Sequence, residues 1–231
     1  MNDSLIITVN NLVKDYAMGQ QSFRALNDIN LSIKKGEFCG IVGPSGSGKT
    51  TLLNIIGALD NPTSGDAFVM DKSVAALSHN EAARMRNESI GFIFQTYNLL
   101  PVYSVFENVE FPLLLLKKSK IEREKAVMQA LEWVSLSSKA NSRPNQLSGG
   151  ESQRVAVARA MVKLPKIVLA DEPTANLDAA NSHNILKTMQ NLNNELKTTF
   201  IFATHDEKVI GYLRRKVVLG DGKVVDDVNL N

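Results

Sequence analysis

An α/β fold built on a mainly parallel sheet with helices over both faces is the class this sequence predicts, and three observations predict it. Short apolar, β-branched runs recur along the 231 residues with helical stretches between them, the alternation that a doubly covered parallel sheet produces. Four of those runs stop abruptly on polar residues, which is where such sheets carry their ligands. A hydrophobic content of 44% is ample for a buried core, and no long repeat, low-complexity segment or Gly/Ser/Pro-rich linker divides the chain. One compact domain over residues 1–231 is the expected organisation.

In chain order, "FCGIV" is the first of the four strands and runs into Gly43. The lone Cys39 within it has no intrachain partner and is expected to be a small core residue. "KTTLLNIIGAL" follows as a helix. "IGFIF" is the second strand and runs into Gln95. The segment after it, "TYNLLPVYSVF", is unusually apolar for a loop; Tyr97, Leu99, Leu100, Val102, Tyr103 and Phe106 suit a groove for a partner helix as well as they suit local packing. "LLLLKKSK" reads as a helix end with a solvated basic tail. In "IEREKAVMQALEWV" the apolar face Ile121, Val127, Met128, Leu131 and Val134 predicts a helix packed into its own subdomain. A further amphipathic helix starts in "LSGGESQR". "KIVLA", running into Asp171 and Glu172, and "TTFIFAT", running into His205, complete the four strands. If they are parallel neighbours, their polar ends share one crevice.

The segment "GPSGSGKT" fills G-x-x-x-x-G-K-[ST] without a gap and lies between an expected strand and an expected helix, the context a phosphate-binding P-loop requires. Gly43, Gly46 and Gly48 free the backbone to turn its N–H groups toward phosphate oxygens. Lys49 suits the β- and γ-phosphates, Thr50 suits Mg²⁺, and the helix N-terminus adds its positive dipole end. Asp171 stands where a P-loop enzyme needs a carboxylate for the Mg²⁺ hydration shell, and Glu172 beside it can polarise a water. His205 reaches the same crevice; His79 and His183 have no such context and are taken as satisfied core or cap residues.

Ser148 and Glu151 have capping-box spacing, but a box does not ask for glycine at both positions between them. Two consecutive glycines cost a helix about 1 kcal/mol each relative to alanine. Gly149 and Gly150 are expected to leave N–H groups bare for an anion, giving a second phosphate-binding surface that faces the nucleotide of another copy.

Together, "GPSGSGKT", "LSGGE", "IVLADEP", "ANLD" and "ATH", in that order, resemble the ATP-binding cassette (ABC) ATPases over essentially the whole chain. The resemblance implies a RecA-like P-loop NTPase core with an antiparallel β-subdomain near the N-terminus and an α-helical subdomain at about 96–155. It implies ATP contacts from Tyr16, stacked on adenine, and from Gly43, Pro44, Ser45, Gly46, Ser47, Gly48, Lys49, Thr50 and Thr51. It implies Mg²⁺ held by Thr50, Gln95 and, through water, Asp171, with Glu172 the catalytic carboxylate and His205 on the γ-phosphate. Ser148, Gly149, Gly150 and Glu151 would contact ATP across a head-to-tail dimer, with Asp178 at its interface. Glu151 stands where many cassettes have glutamine, and Ala175-Asn176 where Gly-Asn or Ser-Ala is common; neither change removes a catalytic group.

"YAMGQQSFRALNDINLSIKKGEF" and "FQTYNLLPVYSVFENVEFPLLL" further resemble the branch serving lipoprotein release and macrolide export, whose cassettes pair with separate integral membrane permeases. A cell-division-type cassette signalling through a membrane partner, or a soluble ABC ATPase, are the alternatives. The second lacks support here, because the chain has neither a long coiled-coil insertion nor a second cassette. A net charge of +2, from 26 basic and 24 acidic residues spread along the chain, leaves no footprint for nucleic acid. "MNDSLIITVN" lacks the features of a secretion signal and no apolar run approaches the ~18–20 residues of a membrane span. The expected location is cytoplasmic, peripheral on the cytoplasmic face of the membrane through the partner.

Overall fold

The computed structural model describes residues 4–19 and 21–230. Along the chain run β1 (Leu5–Met18), β2 (Gln21–Lys34), β3 (Phe38–Val42), α1 (Lys49–Ile56), β4 (Ser64–Val69), β5 (Lys72–Ser73), α2 (His79–Ser89), β6 (Ile90–Ile93), α3 (Val105–Leu115), α4 (Lys120–Trp133), α5 (Gly149–Met161), β7 (Ile167–Asp171), α6 (Ala179–Leu196), β8 (Thr199–Thr204), α7 (Glu207–Ile210), β9 (Arg215–Gly220) and β10 (Lys223–Asn229). Contacts divide them into two compact units, Met1–Arg86 with Thr199–Asn231, and Asn87–Thr198. The helical segment expected at 96–155 falls inside the second.

In the first unit, β2-β1-β4-β5 form an antiparallel sheet, in which the long β1 and β2 strands pair from Leu5↔Lys34 to Met18↔Gln21. A second layer has the order β10-β9-β3-β8, with β3 parallel to both β8 and β9. All five residues of β3 and all six of β8 are buried, the continuous apolar signature of strands covered on both faces. Phe38, Phe200 and Phe202 fill this core with ring centroids 4.8–5.6 Å from Phe38, and Cys39 is buried beside them, its thiol pushed far up by loss of solvent. Arg215 ties the strand margins together. It donates to Glu37 (3.1 Å), to both carboxylate oxygens of Asp227 (2.7 Å each) and to the Ser32 carbonyl (2.8 Å).

In the second unit β6 and β7 pair in parallel, Ile90↔Ile167 through Ile93↔Ala170, and α5 packs on β6, α3, α4 and α6. This central position explains why Val155, Ala156, Ala158 and Met161 are all fully buried. α3 and α4 each begin with a complete capping box, Ser104 with Glu107 and Ser119 with Glu122. The face of α4 differs from the expected one. Val127, Ala130, Leu131 and Val134 are buried at i, i+3, i+4 and i+7, whereas Ile121 is 80% and Met128 41% exposed. At roughly 100° per residue those two side chains point about 100–120° away from the buried stripe, so hydrophobicity alone overestimated its width.

Candidate functional site

In the first unit, β3 and β8 pair up to Val42↔Thr204, so Gly43 and His205 leave adjacent strand ends. They line one cleft of about 380 Å³ together with Pro44 and Glu207. The P-loop then curls back on itself. Gly48 caps α1 in the left-handed conformation (φ 100°), and a Cβ there would lie 2.6 Å from the Ala25 carbonyl oxygen, so this position accepts only glycine. Lys49, the first residue of α1, is 7% exposed, and its Nζ donates to the carbonyls of Gly43 (2.7 Å) and Pro44 (2.9 Å). The ammonium therefore sits inside the loop whose N–H groups make the cradle. Ser47 Oγ is buried there without a hydrogen-bond partner among the described residues, an orphaned polar atom that a phosphate-bearing ligand would suit.

Tyr16 lines a second cleft of the same loop, about 210 Å³, with Phe23, Gly46, Lys49, Thr50 and Thr51. Its hydroxyl donates to Asp60 (2.9 Å), and Lys14, itself bonded to Asp60 at 2.6 Å, lies over the ring at 4.9 Å. Burial raises the Asp60 carboxyl, but the Lys14 and Tyr16 hydrogen bonds outweigh it and hold the group below its usual range. The ring is thus fixed by its hydroxyl while its body stays 36% exposed. Phe23 is paired with Tyr16 across the β1–β2 ladder and doubles the aromatic surface. Sequence reasoning passed over Phe23, because strand register is needed to place it.

In the second unit, β6 and β7 place Gln95, Asp171 and Glu172 at adjacent strand ends, Asp171 as the last residue of β7. Glu172 has a left-handed backbone (φ 44°), uncommon for a non-glycine residue, which turns its side chain out of the strand's alternation. Tyr97 and Asn98 are also left-handed (φ 59° and 50°), and the guanidinium of Arg159 on α5 grips both of their carbonyls, at 2.6 and 2.5 Å. Asn176 donates to the Gln95 carbonyl at 3.0 Å. Arg159 and Asn176 are positioning residues for the Gln95 segment that the sequence did not single out, since backbone carbonyls leave no motif. Of the apolar residues after Gln95, Leu100, Val102 and Tyr103 are exposed and Tyr97, Leu99 and Phe106 half-buried.

The start of α5 is a complete capping box: Glu151 N–H donates to Ser148 Oγ (3.2 Å) and Ser148 N–H to Glu151 Oε2 (2.8 Å). The Ser148 N–H holds the Glu151 carboxyl below the ordinary range, with Lys139 3.7 Å away. The two glycines have different reasons. Gly149 is exposed, and a Cβ there would meet the Tyr97 hydroxyl at 3.0 Å. Gly150 is buried against α6, where a Cβ would collide with the Asn181 side-chain amide, its Cγ at 2.6 Å. That amide cannot swing away freely, because it donates to Asp178 (2.7 Å), which caps α6 by accepting from Asn181 N–H (2.8 Å). Gly149 is open, as a bare position should be, and packing against Asn181 is a second reason for glycine at 150, one that leaves its N–H contact with an anion as an expectation.

Thr50 in the first unit, and Gln95 and Asp171 in the second, each offer a hard oxygen donor of the kind Mg²⁺ takes. Among the described residues no cluster of three or more His, Cys, Asp or Glu side chains could hold a metal by itself.

A family model described as ABC transporter matches residues 26–175. The uncharacterized ABC transporter ATP-binding protein MJ0796 of Methanocaldococcus jannaschii is 43% identical over 223 residues, 95% of each chain. The lipoprotein-releasing system ATP-binding protein LolD of Francisella tularensis is 43% identical over 232 residues, 100% of both. Among solved structures, a dimer of MJ0796 in a post-hydrolysis state with ADP and Pi is similar at a TM-score of 0.90 and 42% identity, covering 97% of this chain and 99% of that one. CbiO1 of Clostridium perfringens, part of the cbiONQ transporter complex, gives 0.88 at 32% identity, covering 97% and 88%. Similarity at this level, running through the P-loop, the α5 start and the acidic strand end, places the chain in the ABC transporter family, as an ATPase subunit with the RecA-like core and helical segment of that fold.

Proposed function

We propose that this chain, as one ABC ATP-binding domain over residues 1–231, is the cassette of a lipoprotein-release or macrolide/peptide-export type transporter and acts by mechanical work on a separate membrane permease. The observation that carries the reading is the P-loop closed around Lys49 in a cleft it shares with Tyr16 and Phe23, a phosphate cradle beside an aromatic platform. The full-length identity with LolD supports the lipoprotein branch. The exposed Leu100, Val102 and Tyr103 support a permease helix docking after Gln95. Among the described residues no helix is long and apolar enough to cross a membrane, which accords with a peripheral cassette on the cytoplasmic face held by its partner.

In this reading the loop N–H groups from Gly43 to Thr51 bind the phosphates and Lys49 moves from its carbonyl partners onto the β- and γ-oxygens. Tyr16 and Phe23 hold adenine by stacking. Thr50 and Gln95, with Asp171 through water, would hold Mg²⁺, which when bound neutralises phosphate charge. Glu172 polarises the attacking water and His205 contacts the γ-phosphate. Ser148, Gly149, Gly150 and Glu151 of a second copy close over the nucleotide, with Asp178 at the interface. Replacing Glu172 by Gln should leave ATP binding intact, reduce turnover at least a hundredfold, and accumulate a dimer with Mg-ATP. Light scattering with and without nucleotide checks it, and a persistent monomer that still hydrolyses ATP counts against the assignment.

A further inference from the structure

A cleft of about 370 Å³ in the second unit is lined by none of the residues given a nucleotide-binding or catalytic role above. Its walls are the C-terminal end of α4 (Val134, Ser135), Arg154 on α5, and Asn184, Lys187, Thr188 and Asn191 on α6. The α6 residues fall at i, i+3, i+4 and i+7, so they form one polar stripe, while Ile185, Leu186, Met189 and Leu192 fill the core on the other side of the helix. The lining therefore contains two cations, amides and hydroxyls, and no carboxylate.

Arg154 makes the cleft unusual. Its Nε is buried without a hydrogen-bond partner among the described residues, although buried donors are almost always paired. The acid that feels its charge, Glu151, is already engaged by the Ser148 N–H and by Lys139. The fork of a guanidinium matches two oxygens of a tetrahedral anion, with an ammonium and amide donors to take the others. The volume is too large for a bare ion and lies at the small end of sites for small molecules, about 300–1,000 Å³.

We propose that the α4–α5–α6 cleft is a binding site for a phosphoryl oxyanion carried on a small polar molecule, held by Arg154 and Lys187 and separate from the nucleotide site. The inference does not depend on which substrate the transporter moves.

The test uses the full chain with its P-loop saturated by a non-hydrolysable ATP analogue, which fills the γ-phosphate position, titrated with inorganic phosphate by calorimetry at constant ionic strength. One saturable site is expected, weakened at least tenfold in Lys187→Gln and in Arg154→Gln, and retained in Lys49→Ala. Lys187 is exposed, so its variant reports even if Arg154→Gln fails to fold. Flotation with phosphatidate vesicles separates two sources of the same chemistry: loss of flotation in Lys187→Gln assigns a lipid headgroup, and phosphate binding without flotation assigns a soluble ligand. Absence of both, binding untouched by either substitution, or equal heats from acetate would overturn the proposal.

Discussion

Gly149 and Gly150 look equivalent in the sequence and are not equivalent in the protein. Gly150 has no room for a methyl group because Asn181, pinned by Asp178, occupies the space, whereas Gly149 is exposed at the first position of α5. Gly150→Ala should lower stability by about 1–3 kcal/mol, since overpacking outweighs the helix propensity gained. Gly149→Ala should change stability by less than about 1 kcal/mol, since the added methyl meets only the far end of the Tyr97 side chain, and under the proposed function should instead depress ATP turnover. Thermal denaturation of the two variants separates the cases; a Gly150→Ala protein as stable as the parent would refute the packing account. Glu151, where glutamine is common in such cassettes, is absorbed by its capping box and keeps its charge on its own helix start.

Three helices of the second unit open on the same Ser-x-x-Glu device, at Ser104, Ser119 and Ser148. Glu107, Glu122 and Glu151 each accept the backbone N–H of their serine, Glu122 the serine hydroxyl as well, and each carboxyl is held below the ordinary 4.5. A carboxyl lowered by folding contributes stability that is present above its unfolded value and lost as pH falls through its folded one. Helical signal should therefore decline on acidification below about pH 4.5. The decline should be smaller in a Glu107→Gln/Glu122→Gln/Glu151→Gln variant, because glutamine keeps the box without titrating. Circular dichroism between pH 6 and pH 3 makes the comparison, and superimposable curves would remove the boxes from the explanation. Arg159 acts at the same scale: one guanidinium holds two left-handed residues after Gln95, a bidentate grip that lysine could not reproduce.

At the scale of the whole molecule, 26 basic and 24 acidic residues leave a charge of only +2 and no concentrated basic face in the sequence. ATP hydrolysis by the purified chain should then be indifferent to added RNA or ribosomes, within about twofold, and, under the proposed function, respond to a membrane permease instead. A multi-fold stimulation by RNA in a phosphate-release assay would overturn the transporter reading. Each compact unit carries its own core, built on Phe38, Phe200 and Phe202 in one and on α5 in the other. Each presents one pair of the four polar strand ends.

The sequence by itself determined the four strands that end on polar residues, the P-loop, the acidic strand end and the capped start of α5, because each is local: apolar runs, turn glycines and i, i+3 spacing act over a few residues. Only the tertiary structure decided that Phe23 stands beside Tyr16, that Arg159 and Asn176 hold the Gln95 segment, and that Ile121 and Met128 lie outside α4's buried stripe. The same holds for Gly150, which is glycine because of Asn181 31 residues onward. These depend on register, on backbone carbonyls and on which side chain arrives from a distant element, and none of these leaves a mark in the order of residues nearby.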